Sequence, residues 1–460
     1  MNGHRRPLAL TGLLATVLLL AASAWVTLAF VPVLPGVGGR FAASSQTPAQ
    51  AHRLVRKAIP EASWPMFGGS PARTRYAPTQ LRPPFRLLYR IPGGGGLIEM
   101  PPAVSQGRIV FGTHDGLVVG ARVEDGAEAW SVNLGGCIAS SPAVQNGVVY
   151  IGWSGRAPCH TGKDETGGIA ALSLRTGELL WRFNPGNVES SPAIVDDTLY
   201  FAAFRSRSES RVFAMRLTQP RRIRWSFPIA SKVASSPALI GRTLFVSAYN
   251  RRLYNLDTRD GRLRWETTAF SDAAQARLLL GVRSLIRRRS WTEGGYYATP
   301  AVAYRRIFVG TIDGVFSAFD ARTGTHRWSR RLGGAIYGSA ALWDEAVYIG
   351  TTGGTFFALS ARDGHVLWKR QLGGDILGSA TVTNERVYVA TSARHTLVLD
   401  ARTGEIEWVF GDGKYSPLVV AGERAFLVGK GRIYALENAP CKRCRATPPA
   451  AGRSDARPSG

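Results

Sequence analysis

The chain has 460 residues, 57 lysines and arginines against 32 aspartates and glutamates, and a formal net charge of +25. So basic a balance raises nucleic acid as a general expectation, but an uncharged apolar run near the N-terminus argues against it; anionic lipid headgroups or anionic wall polymers fit better, as does a solvated basic surface with no partner. Four cysteines fit an exported protein, and none lies near that apolar run, which speaks against a lipid anchor there.

Residues 1–7 read as a short cytoplasmic segment containing His4-Arg5-Arg6, and Leu8 to Val31 carry no charge. A run of that length spans a bilayer. The basic residues before it keep the N-terminus cytoplasmic and put the rest outside, as in a single-pass plasma-membrane protein. A cleaved signal peptide is the competing reading, with Ala22-Ser23-Ala24 as a cleavage pattern, but the apolar run continues past that point. Residues 32–63, rich in Pro, Gly, Ala and Ser, read as a linker.

From residue 64 to 438 one pattern repeats. Eight times a small-residue, proline or hydrophobic cluster precedes a short β run, at Pro102, Pro142, Pro192, Pro237, Pro300, Ala340, Ala380 and Pro417. Seven units then reach a tryptophan: Trp130, Trp181, Trp225, Trp265, Trp328, Trp368 and Trp408. A period of roughly 40 residues with four strand signals marks a propeller blade.

The unit from Gly378 to Trp408 shows the parts. Ala380-Thr381-Val382 reads as an inner strand, Arg386 to Ala390 as a second and Leu397 to Asp400 as a third, while Glu407-Trp408-Val409 begins the outer strand. Thr403-Gly404 makes a tight turn, where glycine supplies the positive φ. The offset from turn glycine to tryptophan recurs at Gly126/Trp130, Gly177/Trp181, Gly261/Trp265, Gly324/Trp328 and Gly364/Trp368. It lets each indole meet the neighbouring blade at an equivalent place, where its N–H needs a partner. Blade three departs, with Thr218-Gln219-Pro220-Arg221 in place of that turn.

The eighth unit, Tyr415 to Glu437, has three strand signals and no tryptophan. Phe85 to Arg90 stands where an outer strand would be and is expected to close the ring, which removes exposed sheet edges. The fold expectation is therefore all-β: an eight-bladed propeller of four-stranded antiparallel blades, preceded by one N-terminal transmembrane helix. Seven blades plus an irregular C-terminal piece is the alternative.

Residues 270–297 interrupt the repeat. Arg277, Arg283, Arg287, Arg288 and Arg289 flank Leu278, Leu279, Val282, Leu285 and Ile286 in the spacing of a basic amphipathic helix. Such a helix lies on a bilayer surface or packs on the propeller and exposes its arginines. Cys137, just before the inner strand of blade two, and Cys159, in the loop after its second strand, fall at one end of the blade, so a disulfide is geometrically reasonable; two free thiols are the alternative. Residues 439–460 read as a basic, disordered tail. Its Cys441 and Cys444 lack the second pair that zinc would need, and no metal site is expected.

Aligned on the inner-strand Pro or Ala, the residue four earlier is Ile98, Ile138, Val188, Val233, Tyr296, Ile336 or Ile376, an apolar set expected to face between blades. The residue three earlier is Glu99, Ala139, Glu189, Ala234, Tyr297, Tyr337, Leu377 or Lys414. Period-two alternation turns this second set toward the channel mouth. Glu99, Glu189, Tyr297, Tyr337 and Lys414 are thus the candidate ligand or partner residues, with a water-filled channel lining as the plainer reading.

The unit Ala-x-Asp-x-x-Thr-Gly-x-x-x-Trp stands complete at Ala318, Asp320, Thr323, Gly324 and Trp328. It resembles the tryptophan-docking repeat of pyrroloquinoline-quinone (PQQ) enzyme propellers, which also occurs in the non-enzymatic BamB-like proteins of outer-membrane assembly. The opening segment Trp64-Pro65-Met66-Phe67-Gly68-Gly69, with Arg73-Thr74 and Tyr76, is similar to the start of PQQ-like repeat proteins. The resemblance implies a quinoprotein-like fold over residues 64–438. For the enzymes it also implies a quinone above the channel, an adjacent Cys-Cys wall, a tryptophan floor, a calcium ion and an aspartate base. This chain has no adjacent cysteine pair and lacks the long inserts those enzymes build around the cofactor. HExxH, Walker A and GxSxG motifs are absent. The expectation is a monomeric, envelope-protein-binding scaffold with no cofactor and no catalytic residue. A PQQ- and calcium-dependent oxidoreductase is the alternative.

Overall fold

Each repeat folds on itself into one antiparallel sheet, because its β-branched and aromatic runs are mostly separated by short turns; blade two, whose second strand ends at Trp153 and whose third begins at Gly168, is the exception. The computed structural model describes residues 64–94, 96–155, 166–217, 222–268, 295–415 and 418–439. Seven blades follow in order over residues 103–133, 143–183, 193–229, 238–268, 301–331, 341–371 and 381–410. The eighth sheet joins both ends of the repeat region: Phe85–Pro92 pairs antiparallel with Arg432–Asn438, outside Arg424–Val428 and Leu418–Ala421. The eight-bladed expectation holds, and the closing strand is the one predicted.

Every blade carries the same irregularity. In the pairing of third and outer strands the register shifts by one residue beside the docking aromatic, for example between Ala318 and Phe319 opposite Trp328 and between Ala358 and Leu359 opposite Trp368. A bulge there raises the twist and re-aims the indole. The indole N–H donates to a carbonyl of the next blade: Trp130 to Leu174 (2.9 Å), Trp225 to Thr258 (2.9 Å), Trp265 to Arg322 (3.1 Å), Trp328 to Ala361 (3.2 Å) and Trp368 to Ala401 (2.9 Å). The ring lies on the turn glycine of that next blade. A Cβ on Gly364, where φ is +75°, would sit 2.5 Å from the Trp328 ring. Trp181 is half-buried against Tyr150 at 5.9 Å, and the turn it would meet lies outside the described residues. Trp408 packs edge-on to Phe85 at 5.1 Å, where the ring closes.

Asp320 shows what the Asp-x-x-Thr-Gly element does. Its Oδ1 accepts from the amides of Arg322 (3.0 Å) and Thr323 (2.9 Å), an Asx turn that shapes the hairpin. Asp400 does the same for Arg402 and Thr403.

The innermost strand of a propeller blade has one edge facing the channel, with amides that need acceptors. Residues 64–77 supply them. This strap runs around the channel, and its carbonyls accept from successive inner strands: Val104 to Trp64, Val144 to Pro65, Leu239 to Pro71, Val302 to Ala72, Leu342 to Thr74 and Val382 to Arg75, all at 2.8–2.9 Å. Arg73 covers blade three, donating to Ser191 O (3.2 Å) and Pro192 O (3.1 Å), to Pro237 O of blade four (2.9 Å) and to Phe67 O.

No helix among the described residues is long and apolar enough to cross a membrane. The apolar run 8–31, the linker, most of the basic insert with its five arginines, Cys159 and the tail after Ala439 lie outside the described residues.

Candidate functional site

The segments leading into the inner strands line the mouth of the channel. Their alternate residues Ile98, Ile138, Val188, Val233, Tyr296, Ile336 and Ile376 are buried between blades. Several meet a neighbouring glycine too closely for any side chain: a Cβ on Gly310 would lie 2.3 Å from Ile336 and one on Gly350 2.2 Å from Ile376. Locking one parity between blades turns the other toward the channel. Glu99, Ala139, Glu189, Ala234, Tyr297, Tyr337 and Leu377 accordingly line one cavity of about 70 Å³.

Lys414 is not among its lining residues; Tyr415 stands there instead, with the Lys414 ammonium 4.8 Å over the Tyr415 ring centroid. The last blade approaches differently because Gly378 offers no side chain. A Cβ on Gly378 would fall 1.5 Å from the Tyr415 carbonyl oxygen.

Both acids at the mouth already have partners. Glu99 Oε2 lies 2.5 Å from His114 Nε2, and Glu189 Oε2 accepts from Lys232 Nζ at 2.9 Å. Lys232 also sits 4.3 Å over the Phe204 ring. Three tyrosines follow edge to face, Tyr249–Tyr297 at 6.3 Å and Tyr297–Tyr337 at 5.6 Å. Burial, then the charges of Glu99 and Glu189, push the Tyr297 phenol well above its ordinary value, and burial followed by Glu189 does the same to Tyr249. These phenols stay neutral donors.

Below the mouth, hydroxyls link blade to blade. The amide of Ser141 donates to Ser191 Oγ, Ser191 to Ser236 Oγ, Ser236 to Thr299 Oγ1, Thr299 to Ser339 Oγ and Ser339 to Ser379 Oγ, at 2.7–3.2 Å. Phe67 of the strap forms part of the cavity wall beneath.

Sequence reasoning missed Lys232, His114 and Tyr249. Lys232 had a signal, since it shares the parity of Ala234 and so the same face. His114 and Tyr249 come from the turns between second and third strands and had none. Cys137 is disulfide-bonded, and its expected partner Cys159 lies outside the described residues. Among the described residues no group of three or more His, Cys, Asp or Glu could hold a metal ion.

Fold and mouth together define an eight-bladed propeller of the PQQ-like repeat class. More particularly, the family described as outer membrane protein assembly factor BamB matches residues 86–219, 165–336 and 313–453, and the chain belongs to it. The chain is 31% identical over 250 residues to the outer membrane protein assembly factor BamB of Shewanella oneidensis, covering 48% of this chain and 60% of that protein. It therefore spans less than two thirds of that relative's length.

Among solved structures, BamB from Moraxella catarrhalis superposes with a TM-score of 0.60 at 17% identity, covering 77% of this chain and 99% of that one. A europium-containing methanol dehydrogenase superposes with a TM-score of 0.66 at 11% identity, covering 85% and 100%. At such identities these likenesses show the fold alone.

Proposed function

We propose that this protein is a membrane-anchored, extracytoplasmic scaffold on which other envelope proteins assemble, held by one apolar span at residues 8–31 and acting as a monomer. Its relatives are assembly factors of the outer membrane by name. The basic insert at residues 270–297 adds a second contact with the membrane surface, and nucleic acid is not a partner.

The observation that carries the reading is the state of the channel mouth. Its two carboxylates are tied to His114 and Lys232, and its tyrosines are packed ring to ring. Such a surface presents shaped aromatic area and fixed hydrogen-bond donors to a protein partner, with Tyr as the amphipathic anchor.

The alternative is a PQQ- and calcium-dependent oxidoreductase. The residues present do not fit that cofactor. The mouth cavity of about 70 Å³ is far below the roughly 300 Å³ at which small-molecule sites begin. No cluster of acids converges there as calcium ligands among the described residues.

The test is site-specific photo-crosslinking in native membranes, with a photoreactive phenylalanine placed in turn at Tyr337, at Glu189 and at the exposed rim residue Arg262. The same envelope protein captured from both mouth positions and absent from the rim is the expected result. Calorimetric titration with PQQ and calcium runs beside it. Stoichiometric binding lost on Glu99→Ala or Glu189→Ala would overturn the scaffold reading.

A further inference from the structure

Arg75 is 1% exposed in the channel core, and its Nε and Nη2 have no hydrogen-bond partner. One face of its guanidinium rests on the Phe67 ring at 4.3 Å. Its neighbour Arg73, 0% exposed, spends its donors on backbone carbonyls, which leave its charge uncompensated. Two cations thus lie together in the middle of the fold. Burial alone moves Arg75, lowering its guanidinium to about 9, so it remains charged at neutral pH and feels no nearby carboxylate.

Burying a charge without a counter-charge is among the costliest things a fold does. The backbone pays here as well, since Arg75 has a φ of +55°, a region where glycine would be unstrained. The two unpaired donors are not scattered. Nε–H and Nη2–H form one edge of the guanidinium fork, the edge that takes a carboxylate bidentately. Elsewhere in this molecule Arg386 uses that same edge to hold Glu407, at 2.8 and 3.1 Å.

We propose that the Nε/Nη2 edge of Arg75 binds a small monovalent anion, a halide or a small carboxylate, inside the channel beneath Phe67. The anion completes the core, and the strap that carries Arg75 is thereby made anion-dependent. This site is separate from the mouth and stands or falls independently of the scaffold reading.

The test uses the full chain in detergent. Thermal unfolding is followed in sodium chloride, in sodium formate and in sodium gluconate, a bulky anion, at one ionic strength. Chloride or formate should raise the midpoint saturably over gluconate, and the two arms separate halide from carboxylate. Arg75→Gln should weaken that dependence about tenfold or more, the loss of one charged hydrogen-bonded contact. Crystals of the wild-type chain soaked in bromide should show anomalous density in contact with the Arg75 fork, which needs no variant to fold. Equal midpoints in all three salts, or crystals soaked in bromide and in formate with neither anion at the Arg75 fork, would overturn the proposal.

Discussion

The Tyr89 hydroxyl donates to the carbonyl of Val123, and its ring covers Gly126 as the indoles cover the turn glycines of other blades. A Cβ on Gly126 would lie 2.3 Å from that ring. The register agrees, because the strand pairing shifts between Leu87 and Tyr89 as it does beside each tryptophan. Tyr89 is the docking aromatic of the eighth blade. It is carried by a strand more than 300 positions from its sheet partners, and it fastens the last blade to the first.

Tyr89→Ala should therefore loosen ring closure, with a loss of about 2–3 kcal/mol, below the scale of a fully buried aromatic truncation because the ring is only partly buried. Tyr89→Phe keeps the ring and loses one hydrogen bond, about 1 kcal/mol. Denaturant midpoints at constant m separate the two. Equal, small losses would mean the closing strand is held by its backbone pairing alone.

Gly364→Ala adds a Cβ 2.5 Å from the Trp328 ring at a φ of +75°. The expected cost is about 2–5 kcal/mol, left-handed strain plus overpacking. Gly333→Ala has a φ of +84° but nothing within 4 Å of the added atom, so only the strain of about 1–2 kcal/mol applies. The difference between the two midpoints measures tryptophan docking.

Asp320 is held below the usual carboxylate range, first by the hydrogen bond from Arg327 (2.6 Å) against the opposing effect of burial, then by the Thr323 amide. A depressed folded value stabilises the fold fully above the unfolded pKa, near 3.9 for an aspartate, and the gain is lost as pH falls through the folded value. The stability gap between wild type and Asp320→Asn should be constant from about pH 7 to 5 and shrink below about pH 4. A gap that persists unchanged into strong acid would assign the effect to the turn shape instead of the charge.

Arg73→Met removes the donor shared by Phe67, Ser191, Pro192 and Pro237 carbonyls. Orphaned buried acceptors cost about 1–3 kcal/mol each and do not add simply, so a loss of at least about 3 kcal/mol is expected. Hydrogen exchange should quicken at the Val144 and Leu239 amides, which pair with the strap, before it does in the second strands. Unchanged exchange at those amides would show that the strap holds without Arg73.

The repeat made the fold legible because each blade is local. Strand, turn and tryptophan of one unit lie within about 40 residues, and alternation of apolar residues survives translation into a sheet. The same alternation placed Glu99, Glu189, Tyr297 and Tyr337 on one cavity. It misplaced Lys414 because Tyr415 presses onto Gly378, a contact between blades seven and eight that no single repeat encodes. The role of the strap is not legible in the sequence, since residues 64–77 hold the inner strands through main-chain carbonyls, and main-chain pairing leaves no side-chain period to read.

What the chain determined by itself is the number of blades, their strands and the parity of the first seven segments, all set by short-range pattern and turn chemistry. What only the tertiary structure decided is which distant groups meet: Tyr89 on Gly126, His114 on Glu99, Lys232 on Glu189 and the strap on six inner strands. The physical reason is closure. A ring brings together residues hundreds of positions apart, and their pairing depends on how eight twisted sheets add up around one axis.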